Sequence, residues 1–433
     1  MKSESYDLIV IGAGAMGLAA AYEACLQGKR TLVLEADSVA GGMAAHFDLD
    51  GLSVERYYHF ICKTDFDTFN LLSELGIREK LKWTATKMGY YFDGKLYPWG
   101  NPLALLAFPK IGLLGKIRYA LMALYCTKRS DWSKVEPLTA PEWFKAWLGE
   151  DGYRKLWHRL FHLKFYEFTD NISATWIGTR IKRIGLSRKS MFEEQLGYLE
   201  GGTETLVSAL VNYISKHGGE IICDSPVIEI LSDKGGVTGV KTKTGKLKAN
   251  RVISTVPTPF ISHLVPQFPD ALKAQYDAID NIGVLCLIFK LKQSVTENFW
   301  VNIVDDNIPI PGIIEFSNLR IMEENIVYVP YYMPTSNERW AWSDKDIIDE
   351  AFVAIKSVNP NIRDDDILSY EVSRLKYAQP ICPPNFLEEL PNIQTPISGL
   401  QVADTCYYYP EDRGISESIG LGRKMAQSTI ELA

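Results

Sequence analysis

Tyr6–Gly17 reads YDLIVIGAGAMG, Leu18–Leu26 continues as LAAAYEACL, and Thr31–Glu35 follows as TLVLE. Tyr6–Ile11 is a short run of apolar β-formers, the pattern of a strand buried on both faces. Leu18–Leu26 is rich in Ala and Leu and reads as a helix. Thr31–Leu34 is a second apolar strand. Strand, glycine turn, helix and strand together predict a βαβ unit at the start of an α/β fold.

The turn is Gly12-x-Gly14-x-x-Gly17, with Ala21 four residues on. Its place between a strand and a helix gives the pattern its meaning. Gly12 permits the tight turn, Gly14 leaves room for a pyrophosphate, and Gly17 lets helix and strand pack closely. The helix N-terminus offers free N–H groups and partial positive charge to phosphates. Glu35 ends the second strand 23 residues after Gly12. An acid there accepts hydrogen bonds from a ribose diol. NAD and FAD both fit this fingerprint. Gly41-Gly42 adds a second backbone approach to phosphates, and the C-terminal segment carries Asp404 and then Gly414-Ile415-Ser416 at a helix start. A long cofactor needs such a second contact, so FAD is favoured. There is a single Gly-x-Gly-x-x-Gly, and a separate nicotinamide domain is not expected.

Further along, Phe66–Leu75 predicts a helix, and Met88–Tyr97 a hairpin turning at Asp93-Gly94. Pro137–Gly197 is mostly helical in pattern. Thr203 is placed to cap a helix over Glu204–Lys216. Short strands follow through Val256, then strands such as Val284–Leu291 and Ile326–Val329, and a helix around Asp346–Val358. Leu400–Val402 is strand-like, and a helix runs from about Ser416. The chain therefore divides into a Rossmann-like domain of three segments, 1–62, 198–258 and 392–433, and an α+β substrate domain of two, 63–197 and 259–391.

The chain has 433 residues, of which 46% are hydrophobic and 23% charged, with net charge −7. These values exclude a disordered or collagen-like chain and a global nucleic-acid binder. Pro102–Ser190 nevertheless holds sixteen Lys or Arg against seven Asp or Glu. Lys110, Lys116, Arg118, Lys128 and Arg129 fall in a stretch, 102–130, without an acid. That surface is expected either to be a solvated face or to meet anions, on a phosphate-bearing substrate or on lipid head groups. Pro102–Cys126 reads as a surface helix pair on a bilayer or as the wall of an apolar cleft. No apolar run is long enough to span a membrane, and no leader fits the N-terminus. The seven cysteines lack any C-x-x-C pair, as expected for a reduced, cytoplasmic chain, with the inner membrane surface as the alternative place. His158 and His162 lack a third ligand nearby, so no metal site is expected.

Six stretches resemble the FAD-dependent amine oxidase superfamily, the group of protoporphyrinogen oxidase, phytoene desaturase and monoamine oxidase. They are VIGAGAMGLAAA, LVLEADSVAGG, LEGGTETLVSAL, GGEIICDSPVIEI, RVISTVP and LQVADTCYYYPEDRGISESIGLGRKMA. UDP-galactopyranose mutase shares a related fold. The chain is similar to protoporphyrinogen oxidase-like bacterial proteins that accompany surface-polysaccharide genes. The resemblance implies a glutathione-reductase-type FAD domain. It places Gly12, Gly14 and Gly17 at the pyrophosphate, Glu35 at the adenosine ribose and Val227 at adenine. It places Asp404 near the ribityl-phosphate and the Ile415 N–H near the flavin pyrimidine ring. Many members carry a basic residue near Met43, and Arg413 is the substitute here. On the substrate side it implies His59 as a flavin-orienting or acid/base group, Arg374 for an anionic substrate group, and Tyr377 beside it.

Three functions follow. The leading one is hydride abstraction by flavin from a small substrate, phosphate-bearing or lipid-linked. The second is a redox-neutral, flavin-dependent nucleotide-sugar mutase. The third is a flavin-binding scaffold whose cleft is filled by Tyr and Trp. The oligomeric state is not encoded in any motif.

Overall fold

The computed structural model describes residues 5–431. Its first layer is a five-stranded parallel sheet, ordered Glu220–Ile222, Thr31–Leu34, Leu8–Ile11, Val252–Ser254 and Leu400–Val402. Ile9 pairs with Leu32 on one side and Val252 on the other. All residues of the first two strands are buried, as their unbroken apolar runs require. Alternate residues then serve two cores. Leu8, Val10, Val33 and Ile253 pack under helices Ala15–Leu26, Glu204–Lys216 and Ile415–Glu431. Ile9, Ile11, Leu32 and Leu34 pack on the other face with Ile230, Val240 and Tyr276. This is the doubly covered α/β layer expected from the opening βαβ unit. The first and last helices touch closely. A Cβ on Gly422 would come within 2.1 Å of the Met16 carbonyl oxygen.

The second layer is a seven-stranded mixed sheet. Its order is Ile367–Pro380, Asn281–Leu291, Asn325–Met333, Gly312–Glu315, Trp300–Ile303 and then the hairpin Met88–Phe92 with Lys95–Trp99. Asp93 and Gly94 turn that hairpin with φ of 54° and 69°, as the Asp-Gly pair predicts. In the strand Asn281–Leu291, Leu285, Leu287 and Phe289 pack under helix Asp344–Val358. Val284, Cys286 and Ile288 face the opposite way, toward Tyr57 and Tyr332. That second face is one wall of the cleft described below.

Three expectations need correction. The helical region ends at Leu186, because Arg188–Ser190 and Glu193–Leu199 are strands that pair with one another and, through the latter, with Leu81–Thr86. The near-alternating burial along Glu193–Leu199 is the strand period. Thr203 does precede Glu204–Lys216, but its hydroxyl donates to the Ala44 carbonyl at 2.8 Å and caps nothing. Helix Phe66–Glu74, expected in the substrate domain, packs Leu71 and Leu72 into the core beneath the first helix.

Candidate active site

A cleft with a cavity of ≈ 480 Å³ lies between the two sheets. Its floor is the glycine turn. Gly12 has φ +99°, a left-handed conformation that side chains rarely adopt. A Cβ on Gly17 would sit 1.9 Å from the Gly12 carbonyl oxygen, so helix and turn need glycine there. A Cβ on Gly14 would meet nothing within 4 Å. Gly14 therefore faces open space at the N-terminus of the first helix, where no side chain caps the free N–H groups. Gly41 and Gly42 close the same floor, and a Cβ on Gly42 would lie 3.1 Å from the Gly14 Cα. Glu35 is held with one carboxylate oxygen on the Ala13 N–H (2.6 Å) and the other on the Asp37 N–H (2.9 Å). It lines the rim, as do Asp404 and Ile415.

These residues fit a dinucleotide cofactor on structural grounds. The backbone cradle is open where phosphates need room, and a second helix starts at Ile415 on the opposite side. His59 lines the cleft wall with its Nδ1 buried, and its ring interacts with the Tyr57 backbone. Asp404 is fixed by the Thr258 N–H (2.6 Å) and the Cys406 N–H (2.8 Å). Val227 opens its strand opposite Thr242 and lies outside the cavity lining.

Two substrate-side expectations change. Burial, with Arg413 and Arg183 nearby, pushes His59 down to about 4. The ring is therefore neutral at physiological pH, and an acid/base role near neutrality gives way to hydrogen bonding. Arg374 lines the cleft, but its guanidinium is ion-paired with Asp344 and donates to the Trp342 carbonyl at 3.0 Å. Arg413 donates to the Ala378 carbonyl and to the Tyr332 hydroxyl (3.1 Å). Both acceptors belong to the large sheet, and Arg413 lines the same cavity as Met43. Tyr377 lines the cleft with its ring edge-on to Phe260.

The sequence reading missed Lys164 and Tyr332. Lys164 comes from the short helix Arg159–Phe165, and its ammonium lies 4.8 Å from the centre of the Tyr332 ring. The Arg413 guanidinium lies 5.6 Å from the same ring. Neither cation is ion-paired with a carboxylate among the described residues, whereas Arg56, Arg180 and Arg183 pair with Asp37, Asp412 and Asp65. Burial, with Arg180 and Arg413 beside it and Asp412 opposing them, holds Lys164 well below the ordinary lysine range. Lys164 sits in a basic, aromatic stretch whose residues look alike in sequence, so only packing distinguishes it.

Comparisons with known proteins bear on the fold and the family. The chain is 34% identical over 107 residues to a mitochondrial protoporphyrinogen oxidase of Nicotiana tabacum, which is 25% of this chain and 20% of that protein. It is 23% identical over 291 residues to a 15-cis-phytoene desaturase of Glycine max, covering 49% of it. The chain thus spans at most about half the length of these curated relatives. Its fold matches a putative protoporphyrinogen oxidase from Exiguobacterium sp. 255-15 with TM-score 0.75, 18% identity and 99% of each chain covered. It also matches a reduced UDP-galactopyranose mutase with TM-score 0.74, 16% identity, and 99% and 95% covered. A family model described as flavin containing amine oxidoreductase matches residues 17–400, and the chain belongs to that family, with FAD as the cofactor its cleft fits.

Proposed function

We propose that the chain is an FAD-dependent oxidoreductase that takes hydride from a small substrate carrying a phosphate or another anionic group, free or lipid-linked. The observation that carries the reading is the convergence of Lys164 and Arg413 on Tyr332, where the nearby acid, Asp412, is already ion-paired with Arg180. When bound, FAD supplies the redox chemistry. The chain's own residues hold and orient. The glycine turn and Glu35 would hold one end of the cofactor, and the helix start at Ile415 would meet the other. His59, neutral, packs in the wall of the cleft beside the Tyr57 backbone. Lys164 Nζ is desolvated, and an anion bound beside it favours its charged form. The cavity reaches past the dinucleotide residues to Trp300, Tyr332 and Tyr377, which line it and leave it open. That opening argues against a scaffold with a filled cleft.

A redox-neutral mutase is the second reading. The same cation pair suits the diphosphate of a nucleotide-sugar. Anaerobic mixing of the flavin-loaded protein with phosphorylated and neutral candidate substrates separates the readings. Flavin bleaching by the phosphorylated compounds supports the oxidoreductase. Product formed only by pre-reduced protein, with no net electron transfer, supports the mutase. Equal bleaching by neutral compounds would contradict the anionic substrate.

A further inference from the structure

Pro102–Ala107 and Leu113–Lys128 form two helices joined by a short turn. The longer one has a clear inner face. Met122 and Cys126 are fully buried among Trp132, Trp143 and Phe144, and the helix packs on Ala174–Leu186. Its outer face is unusual. Leu113, Leu114, Ile117, Leu121 and Leu124 are 66%, 68%, 48%, 52% and 54% exposed. The short helix adds Leu103 and Leu106 at 64% and 56%. Positions 114, 117, 121 and 124 follow the 3–4 spacing of one helical stripe. Single exposed leucines are ordinary, but a contiguous aliphatic stripe marks a partner.

The charge around the stripe says which partner. Residues 102–130 contain no acid. The Lys116 ammonium donates to the Leu106 carbonyl and ties the two helices together. Arg118 donates to the Ala146 carbonyl at 2.7 Å. Lys128 is exposed at the end of the stripe and has no acidic partner among the described residues. Lys110 is paired with Asp93 at 2.6 Å. Aliphatics bordered by cations match the acyl boundary and phosphates of an anionic bilayer. A second copy would set the same positive surface against itself across a two-fold axis, which like-charge repulsion opposes.

We propose that this helix pair docks the protein on anionic membranes, with the stripe in the acyl boundary and Lys116 and Lys128 at the head groups. No helix among the described residues is long and apolar enough to cross the membrane, so the contact lies in the interface plane. The helix behind the stripe, Ala174–Leu186, carries Arg180 and Arg183 into the cleft wall. Docking therefore brings the cleft within about two helix diameters, roughly 20 Å, of the lipid. The inference does not depend on the redox reading.

The test is co-sedimentation of the full chain with phosphatidylcholine vesicles, with and without phosphatidylserine. Wild type should pellet with the anionic vesicles and remain in solution with the neutral ones. The double variant Ile117→Glu, Leu121→Glu should bind at least tenfold less. Lys116→Gln and Lys128→Gln should each weaken binding about fivefold at low salt. These side chains point outward, so circular dichroism and flavin content should stay at wild-type values, which separates a lost surface from a lost fold or cofactor. Wild type that ignores anionic vesicles, or a stripe variant that binds as well as wild type, overturns the proposal. So would a concentration-dependent dimer in wild type that the stripe variant abolishes, which would assign the face to self-association.

Discussion

Lys164 and Arg413 approach the same ring, that of Tyr332, to 4.8 and 5.6 Å, and the acid beside them, Asp412, is ion-paired with Arg180. Two like charges brought together at the edge of a cavity cost free energy, which an incoming anion recovers. Lys164→Met or Arg413→Met should raise KM for an anionic substrate about 10- to 100-fold, the worth of one charge-assisted hydrogen bond of about 1.5–3 kcal/mol. Flavin content should not change. Because burial holds Lys164 well below the ordinary lysine range, KM should rise with pH as Nζ loses its proton, for a substrate of constant charge. Lys164→Met should flatten that profile.

The second and third glycines of the motif should separate folding from cofactor binding. Gly14→Ala places a methyl in open space, so stability should stay within about 0.5 kcal/mol of wild type while flavin affinity falls. Gly17→Ala drives a methyl to 1.9 Å from the Gly12 carbonyl oxygen, and should cost about 1–3 kcal/mol of stability through overpacking. Thermal melts and absorbance of the two variants, measured side by side, check this.

His59 should leave a mark on acid stability. Its folded value of about 4 lies below the ordinary 6.5, so between those values the unfolded chain holds the extra proton. Stability from this group is complete above pH 6.5 and is lost as pH falls toward 4. The change is about 3 kcal/mol. The stability of wild type relative to His59→Phe should therefore drop by that amount from pH 6.5 to 4 in denaturant titrations. A pH-independent difference would show that the ring titrates normally.

Glu55 and Arg320 form a buried link between the layers, 3% and 9% exposed and 3.3 Å apart. Glu55 also accepts from the Thr203 N–H, and its backbone carbonyl accepts from the Tyr328 hydroxyl at 2.7 Å. Burial pushes the Glu55 carboxyl up, and Arg320 opposes that push. Arg320→Met should destabilise by about 3–5 kcal/mol, since it strands a buried charge. Adding Glu55→Gln should restore part of the loss, because the amide oxygen still accepts from Thr203 without carrying charge.

Much of the nucleotide layer was legible because local physics dictates it. The apolar strands at Leu8–Ile11 and Thr31–Leu34 have no other place to go, and Gly17 tolerates no side chain whatever the rest of the fold does. Glu35 is read from its spacing alone. The substrate side was less legible because its geometry is made by contacts far apart in sequence. Arg374 looked free until Asp344, thirty residues away, occupied it. Lys164 and Tyr332 stand 168 positions apart, and only the packing of a short helix against the large sheet joins them. Thr203 had the right residue type for a cap and was drawn instead to Ala44 by tertiary contact.

The visible absorbance of the purified protein, beside that of Gly14→Asp, tests the central claim most directly. The account predicts flavin bands in wild type, released into the supernatant on heating, and a colourless but folded Gly14→Asp protein, since an aspartate would meet the pyrophosphate with both bulk and charge. A wild-type protein that is colourless and takes up no added FAD, or a Gly14→Asp variant with full flavin content, would contradict it.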